Sequence, residues 1–219
     1  MSAATITPPP VGAPVAPRAK SATAPPTGRP SRLHRLSVAQ YHQMIDAGIL
    51  KPGAKVELVE GLLLRKPMTR KPPHDGTMDL VEARLRALLP AGWFIRSQRA
   101  TGLPQGEPEP DIAVVVGTEE RYLDHHPAPA EIGIVVEIAD TSVRIDRGYK
   151  LRGYARAGLP VYWIVNLASG EIEVYTDPHK PARRRPKYRT LATFVAGQSV
   201  PVVLAGATLG NIAVSDVIR

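Results

Sequence analysis

Pro110-Asp111-Ile112-Ala113-Val114-Val115, Val135-Val136-Glu137-Ile138-Ala139, Asp146-Arg147-Gly148-Tyr149-Lys150 and Val161-Tyr162-Trp163-Ile164-Val165 make up the stretch 110–165 whose reading decides the fold. An aspartate opens one apolar strand, a glutamate interrupts a second, and a lysine follows on a helix. Runs of β-branched residues bounded by turns form the middle of a sheet, where an unpaired carboxylate costs several kcal/mol of desolvation. Two of them need a shared reason. A divalent cation at the sheet edge, with the lysine beside it, supplies one. A buried ion pair between Glu137 and Lys150, with Asp146 and Lys150 as an ordinary i,i+4 pair, supplies another.

Working outward, residues 134–165 read strand, helix, strand, with Gly158 and Pro160 stopping the helix, which predicts a right-handed βαβ crossover with parallel strands. Lys150 and Tyr154 lie one turn apart on that helix and share a face. Upstream, Trp93 to Gln98 reads as a strand, and the side chain of Gln98 could face the site. From Asp75, the recurrence of Met78, Val81, Leu85, Leu88 and Leu89 predicts an amphipathic helix stopped by Pro90, with His74 immediately before it. His74 there is either a ligand for phosphate or metal, or a capping histidine in the loop.

Val56-Glu57-Leu58-Val59-Glu60-Gly61-Leu62-Leu63-Leu64 reads as a hairpin turning at Glu60-Gly61, and Ser37 caps a short helix that ends at Gly48. Glu60 is either an exposed turn acid or a further carboxylate aimed at the site. Downstream, 167–175 forms a second hairpin, and the remainder reads as a last strand, a loop and a short closing element. His125-His126 is read as a surface pair, far commoner than a metal site, and the basic run from Lys180 to Arg189 as a solvated loop at least as readily as a grip on phosphate.

Composition limits the chemistry. The chain has 219 residues, a formal charge of +8 and no cysteine. Thiolate zinc sites, disulfides and cysteine nucleophiles are therefore excluded, and any metal must be held by oxygen or imidazole. Residues 1–31 are rich in Pro, Ala, Ser and Thr and are expected to be a disordered basic tail before a domain spanning 32–219. The segment 1–45 carries Arg18, Lys20, Arg29, Arg32 and Arg35 and no acid, which suits either an arm on phosphate backbone or a solubilising tail. No apolar run approaches the ~20 residues of a membrane span, and the expected location is the cytoplasm.

The Pro110-Asp111 pair followed by Glu137 and Lys150 resembles the PD-(D/E)XK nuclease superfamily. More narrowly, Val56 to Gly61, His74, Pro110 to Val114, Val136 to Ile138, Asp146 to Leu151 and Tyr154 to Val165 resemble the Uma-two family of restriction endonucleases, over roughly residues 36–217. The resemblance implies an α/β, restriction-endonuclease-like core: a mixed central sheet flanked by helices, with an N-terminal and a C-terminal hairpin. It implies a Mg2+- or Mn2+-dependent endonuclease acting on double-stranded DNA, as a homodimer. Asp111 and Glu137 would bind metal together with a backbone carbonyl such as that of Ile138. Lys150 would orient or help to deprotonate water, Glu60 would be an accessory carboxylate, and His74 and Gln98 would be subsidiary. The superfamily's usual lysine stands two residues after the acid, where this chain has Ala139; Lys150 enters from the next helix instead. The alternative is a nucleic-acid-binding module in which the same residues form a structural ion pair.

Overall fold

The computed structural model describes residues 33–66, 71–182 and 184–219. The expected disordered tail, 1–31, lies outside the described residues. Arg35–Arg219 form one compact unit.

Its elements are α1 (Val38–Asp46), β1 (Val56–Val59), β2 (Leu62–Arg65), α2 (Pro72–Leu88), β3 (Trp93–Ser97), β4 (Ile112–Val116), β5 (Ile132–Ala139), the short α3 (Val143–Ile145), α4 (Leu151–Ala157), β6 (Val161–Asn166), β7 (Glu171–His179), β8 (Lys187–Val195), β9 (Ser199–Leu204) and β10 (Ala207–Ala213). Six strands form the central sheet in the order β3-β4-β5-β6-β7-β8. Only β5 and β6 in that sheet are parallel, as a crossover through α3 and α4 requires.

Alternation along the strands divides the core in two. Ile112, Val114, Ile134, Val136, Trp163 and Val165 pack with Val81 and Leu85 of α2 and with Val200, Val202, Leu204 and Ile212 of the β9–β10 hairpin. On the opposite face Ala113, Val115, Val135, Tyr162 and Tyr175 pack with Tyr154, Ala155 and Leu159 around α4. The register β4–β5 pairs Ile112 with Val136 and Ala113 with Val135, so the chain positions on either side, Asp111 and Glu137, fall at neighbouring places on the α4 face.

Three local expectations are corrected. The helix expected from Asp75 begins at Pro72, because Pro72 and Pro73 occupy the first turn, where a missing N–H costs nothing; His74 is thus inside the helix rather than before it. The C-terminal region contains a full β9–β10 hairpin turning at Ala205-Gly206, both at positive φ, a geometry that Asn-Gly announces and Ala-Gly does not. The crossover helix is not regular. Between α3 and α4 the residues Asp146–Lys150 form a π-turn, with the N–H of Leu151 reaching back to the carbonyl of Asp146.

Candidate active site

At the edge of the α4 face lies a cavity of about 140 Å³ lined by Glu57, His74, Asp111, Glu137, Asp146 and Lys150, with Lys66 and Lys71 among its other lining residues. The six come from five pieces of local structure. Asp111 directly precedes β4, and Glu137 lies near the end of β5, where it interrupts an otherwise apolar strand. The π-turn carries Asp146 and Lys150, both buried. Glu57 is on β1 and His74 in the first turn of α2.

Asp111 accepts the backbone N–H of Ile138 at 2.9 Å through Oδ2, and His74 Nε2 stands 3.4 Å from the same oxygen. Burial works against its ionisation, but the hydrogen bonds from His74 and Ile138 hold its carboxyl below the ordinary value. Lys150 Nζ lies 2.9 Å from Glu137 Oε1 and 3.2 Å from Glu57 Oε1. The hydroxyl of Tyr154 donates to that same Glu137 oxygen at 2.7 Å. Asp146 accepts the Ser142 hydroxyl at 2.5 Å, and Glu57 accepts the N–H of Glu109 at 2.9 Å.

Four buried carboxylates thus face one buried ammonium. Burial pushes the Glu137 carboxyl well up, and Asp146, Asp111 and Glu57 add to this against the pull of Lys150. Asp146 is pushed up to about 6, chiefly by burial. Burial alone would lower Lys150, but Glu137, Glu57 and Asp146 outweigh it and hold the ammonium above its ordinary value. Such a lysine donates hydrogen bonds and carries fixed positive charge; it is a poor proton acceptor.

The donor chemistry fits a hard divalent cation. Carboxylate oxygens outnumber the positive charge, and magnesium or manganese typically takes one or two carboxylates, leaving further positions to water and phosphate oxygens. It does not fit a closed cage: among the described residues no three His, Asp or Glu side chains are gathered at metal-binding spacing. Asp111 and Glu137 are the pair that could hold such an ion.

The structure brings together Asp111, Glu137, Lys150 and His74, and separates two other expected residues. Glu60 does not line the cavity. Its carboxylate is taken by Arg152 Nε at 2.8 Å and Arg156 Nη2 at 3.0 Å, and Arg35 donates to its carbonyl, a clasp that holds the turn residue at φ 50°. Gln98 does not line it either: its amide nitrogen meets Met78 Sδ at 3.0 Å, while its backbone N–H reaches the carbonyls of Pro110 and Asp111. His125 sits on the surface against Asp124. Glu57, Asp146 and Tyr154 were not singled out as site residues. Glu57 carried the same signal as Glu137, a glutamate within an apolar strand.

A family model, Uma2, described as "Putative restriction endonuclease", matches residues 38–211. The chain belongs to the Uma2 family. A solved structure described as a putative nuclease belonging to DUF820, from Anabaena variabilis ATCC 29413, has the same fold, with a TM-score of 0.58 at 15% identity over 83% of this chain and 97% of that one. No curated protein sequence matches the chain. Uma2 membership, with a fold shared with a nuclease-like neighbour, supports a nuclease role for the chain.

Proposed function

We propose that this Uma2 chain is a magnesium- or manganese-dependent endonuclease that hydrolyses phosphodiester bonds of double-stranded DNA. The convergence of Asp111 from the start of β4, Glu137 from β5 and Lys150 from the π-turn on one cavity carries the reading. Asp111 and Glu137 would hold the ion, which when bound would polarise the phosphate and acidify a water molecule. The chain's own residues do the rest. The Ile138 N–H and His74 fix Asp111, and Tyr154 and Lys150 fix Glu137. Lys150, kept protonated by its neighbours, orients the attacking water and stabilises negative charge developing on phosphate, in place of the deprotonating role that the sequence also allowed. Lys66 and Lys71, at the same cavity and paired with Glu109 and Asp140, are placed to exchange those acids for backbone phosphates. Cutting both strands suits two copies related by a two-fold axis, so the active form is proposed to be a cytoplasmic homodimer.

Plasmid DNA incubated with the purified chain and Mg2+ or Mn2+ tests the reading. Cleavage by the parent, lost in Glu137→Ala and Lys150→Ala and absent with EDTA, is the expected result. Intact plasmid with both metals, or full cleavage by Lys150→Ala, overturns it. A second reading has an observation of its own: Lys150 already bridges Glu137 and Glu57, as a purely structural ion pair would. In that case the chain is a nucleic-acid-binding module, retaining DNA without cutting it and giving no manganese binding by calorimetry.

A further inference from the structure

We propose that Tyr154 is a positioning residue of this site: its hydroxyl and the Lys150 ammonium bind the same oxygen of Glu137, so that the other oxygen is the one presented to the cavity. The inference rests on the metal-dependent reading above.

Tyr154 Oη and Lys150 Nζ stand 2.7 Å and 2.9 Å from Glu137 Oε1. Both donors come from one continuous helical segment, since the π-turn ends at Lys150 and α4 begins at Leu151. The Glu137 carboxylate cannot rotate about its last torsion without breaking both bonds at once. Tyr154 is fully buried, and its ring packs on Tyr162 with centroids 4.9 Å apart, which fixes the direction of its hydroxyl. A second ammonium here would hold the carboxylate equally well but would also cancel the negative charge that attracts a cation. A neutral phenol anchors it and leaves the charge in place. Hydrogen-bonded partners behind a ligating carboxylate fix its orientation in this way, and their loss weakens metal affinity by roughly 10–100-fold.

The test is Tyr154→Phe in the full chain, which keeps the ring and removes the donor. Titration with MnCl2 by calorimetry is expected to give at least about 10-fold weaker binding. Plasmid cleavage should lose kcat with KM for DNA unchanged, because no contact to DNA is removed. Tyr188→Phe is the control, since its buried hydroxyl in the same ring cluster serves the Leu159 carbonyl, away from the carboxylates; it should bind Mn2+ as the parent does. If Tyr154→Phe binds Mn2+ as tightly as the parent while Glu137→Ala does not bind, the role of Tyr154 is overturned and the metal reading stands. If both tyrosine variants weaken binding alike, Tyr154 is a packing residue and the proposal fails. A parent that gives no manganese heat overturns both.

Discussion

Replacing Lys150 by methionine removes the single buried ammonium from a cluster of four buried carboxylates while keeping most of the side-chain volume. Its two ion pairs, at 2.9 and 3.2 Å, are each worth on the order of 5 kcal/mol of Coulomb attraction at an effective dielectric constant of about 20. Against this stands the desolvation of the lysine, several kcal/mol, which the variant no longer bears. The net loss expected at neutral pH is about 3–5 kcal/mol, as for other buried pairs broken on one side. The loss should shrink on acidification. Without Lys150, the folded-state values of Glu137 and Asp146, already raised by burial, rise further. Between the unfolded and folded values the native state holds protons that the unfolded chain has released, so stability falls as pH rises through that window and returns as pH drops. Lys150 itself adds no slope there, because its stabilisation is lost only as pH climbs through a folded value above the ordinary one for lysine. Urea melts of parent and variant in EDTA at pH 5 and pH 7.5 measure both effects. A loss below about 1 kcal/mol at pH 7.5, or a loss equal at the two pH values, refutes the charge cluster as the source of the lysine's stabilising role.

Asp146→Asn acts in the opposite direction: its carboxyl sits at about 6 in the fold, roughly two units above the free value, so without metal the variant should be more stable by on the order of 2–3 kcal/mol at pH 7.5 and about equal to the parent at pH 4. Chemical denaturation at the two pH values checks it, and an unchanged difference between them contradicts it. Glu60→Gln should cost about 2–3 kcal/mol of stability by breaking the buried pairs with Arg152 and Arg156, yet leave manganese affinity as in the parent. Calorimetric weakening comparable to that of Glu137→Ala would put Glu60 back among the metal-holding groups.

The central part of the site was legible because a carboxylate inside a β-branched run is a signal readable in one dimension. Asp111 and Glu137 stood out in this way, each on its own strand; that the two strands are neighbours is shown by the β4–β5 pairing. Lys150 was legible as a helix residue sharing a face with Tyr154 and as a possible partner of Glu137; the π-turn that carries it, a change of hydrogen-bond partner, has no diagnostic residue type. Glu60, open to either an exposed or a site role from the residues alone, entered the expected site through the family resemblance, which made it an accessory carboxylate. The strand glutamate three residues earlier had the stronger physical claim, since it interrupts an apolar strand and is itself buried. Gln98 was misjudged because its φ of 55° ends β3, so strand alternation does not govern its side chain. The β9–β10 hairpin was missed for want of a turn signature, although Val200, Val202 and Leu204 already alternated as strand residues do.

The π-turn also bears on how such a site can diverge. A lysine two residues past the acid is tied to the pleat of that strand, and moving it means re-registering the sheet. Lys150 rides instead on a turn secured at its own far side, where Arg147 Nε donates to both carboxylate oxygens of Glu173 on β7 at 3.0 Å. The cation and the two carboxylates are therefore separable modules. The linker 140–142 can change in length or composition, retuning the approach of the lysine, while the hydrogen-bond ladders of β4, β5 and β6 stay as they are. A search keyed to an acid and a lysine on one strand would pass over every chain built this way, even though its charges meet at the same place.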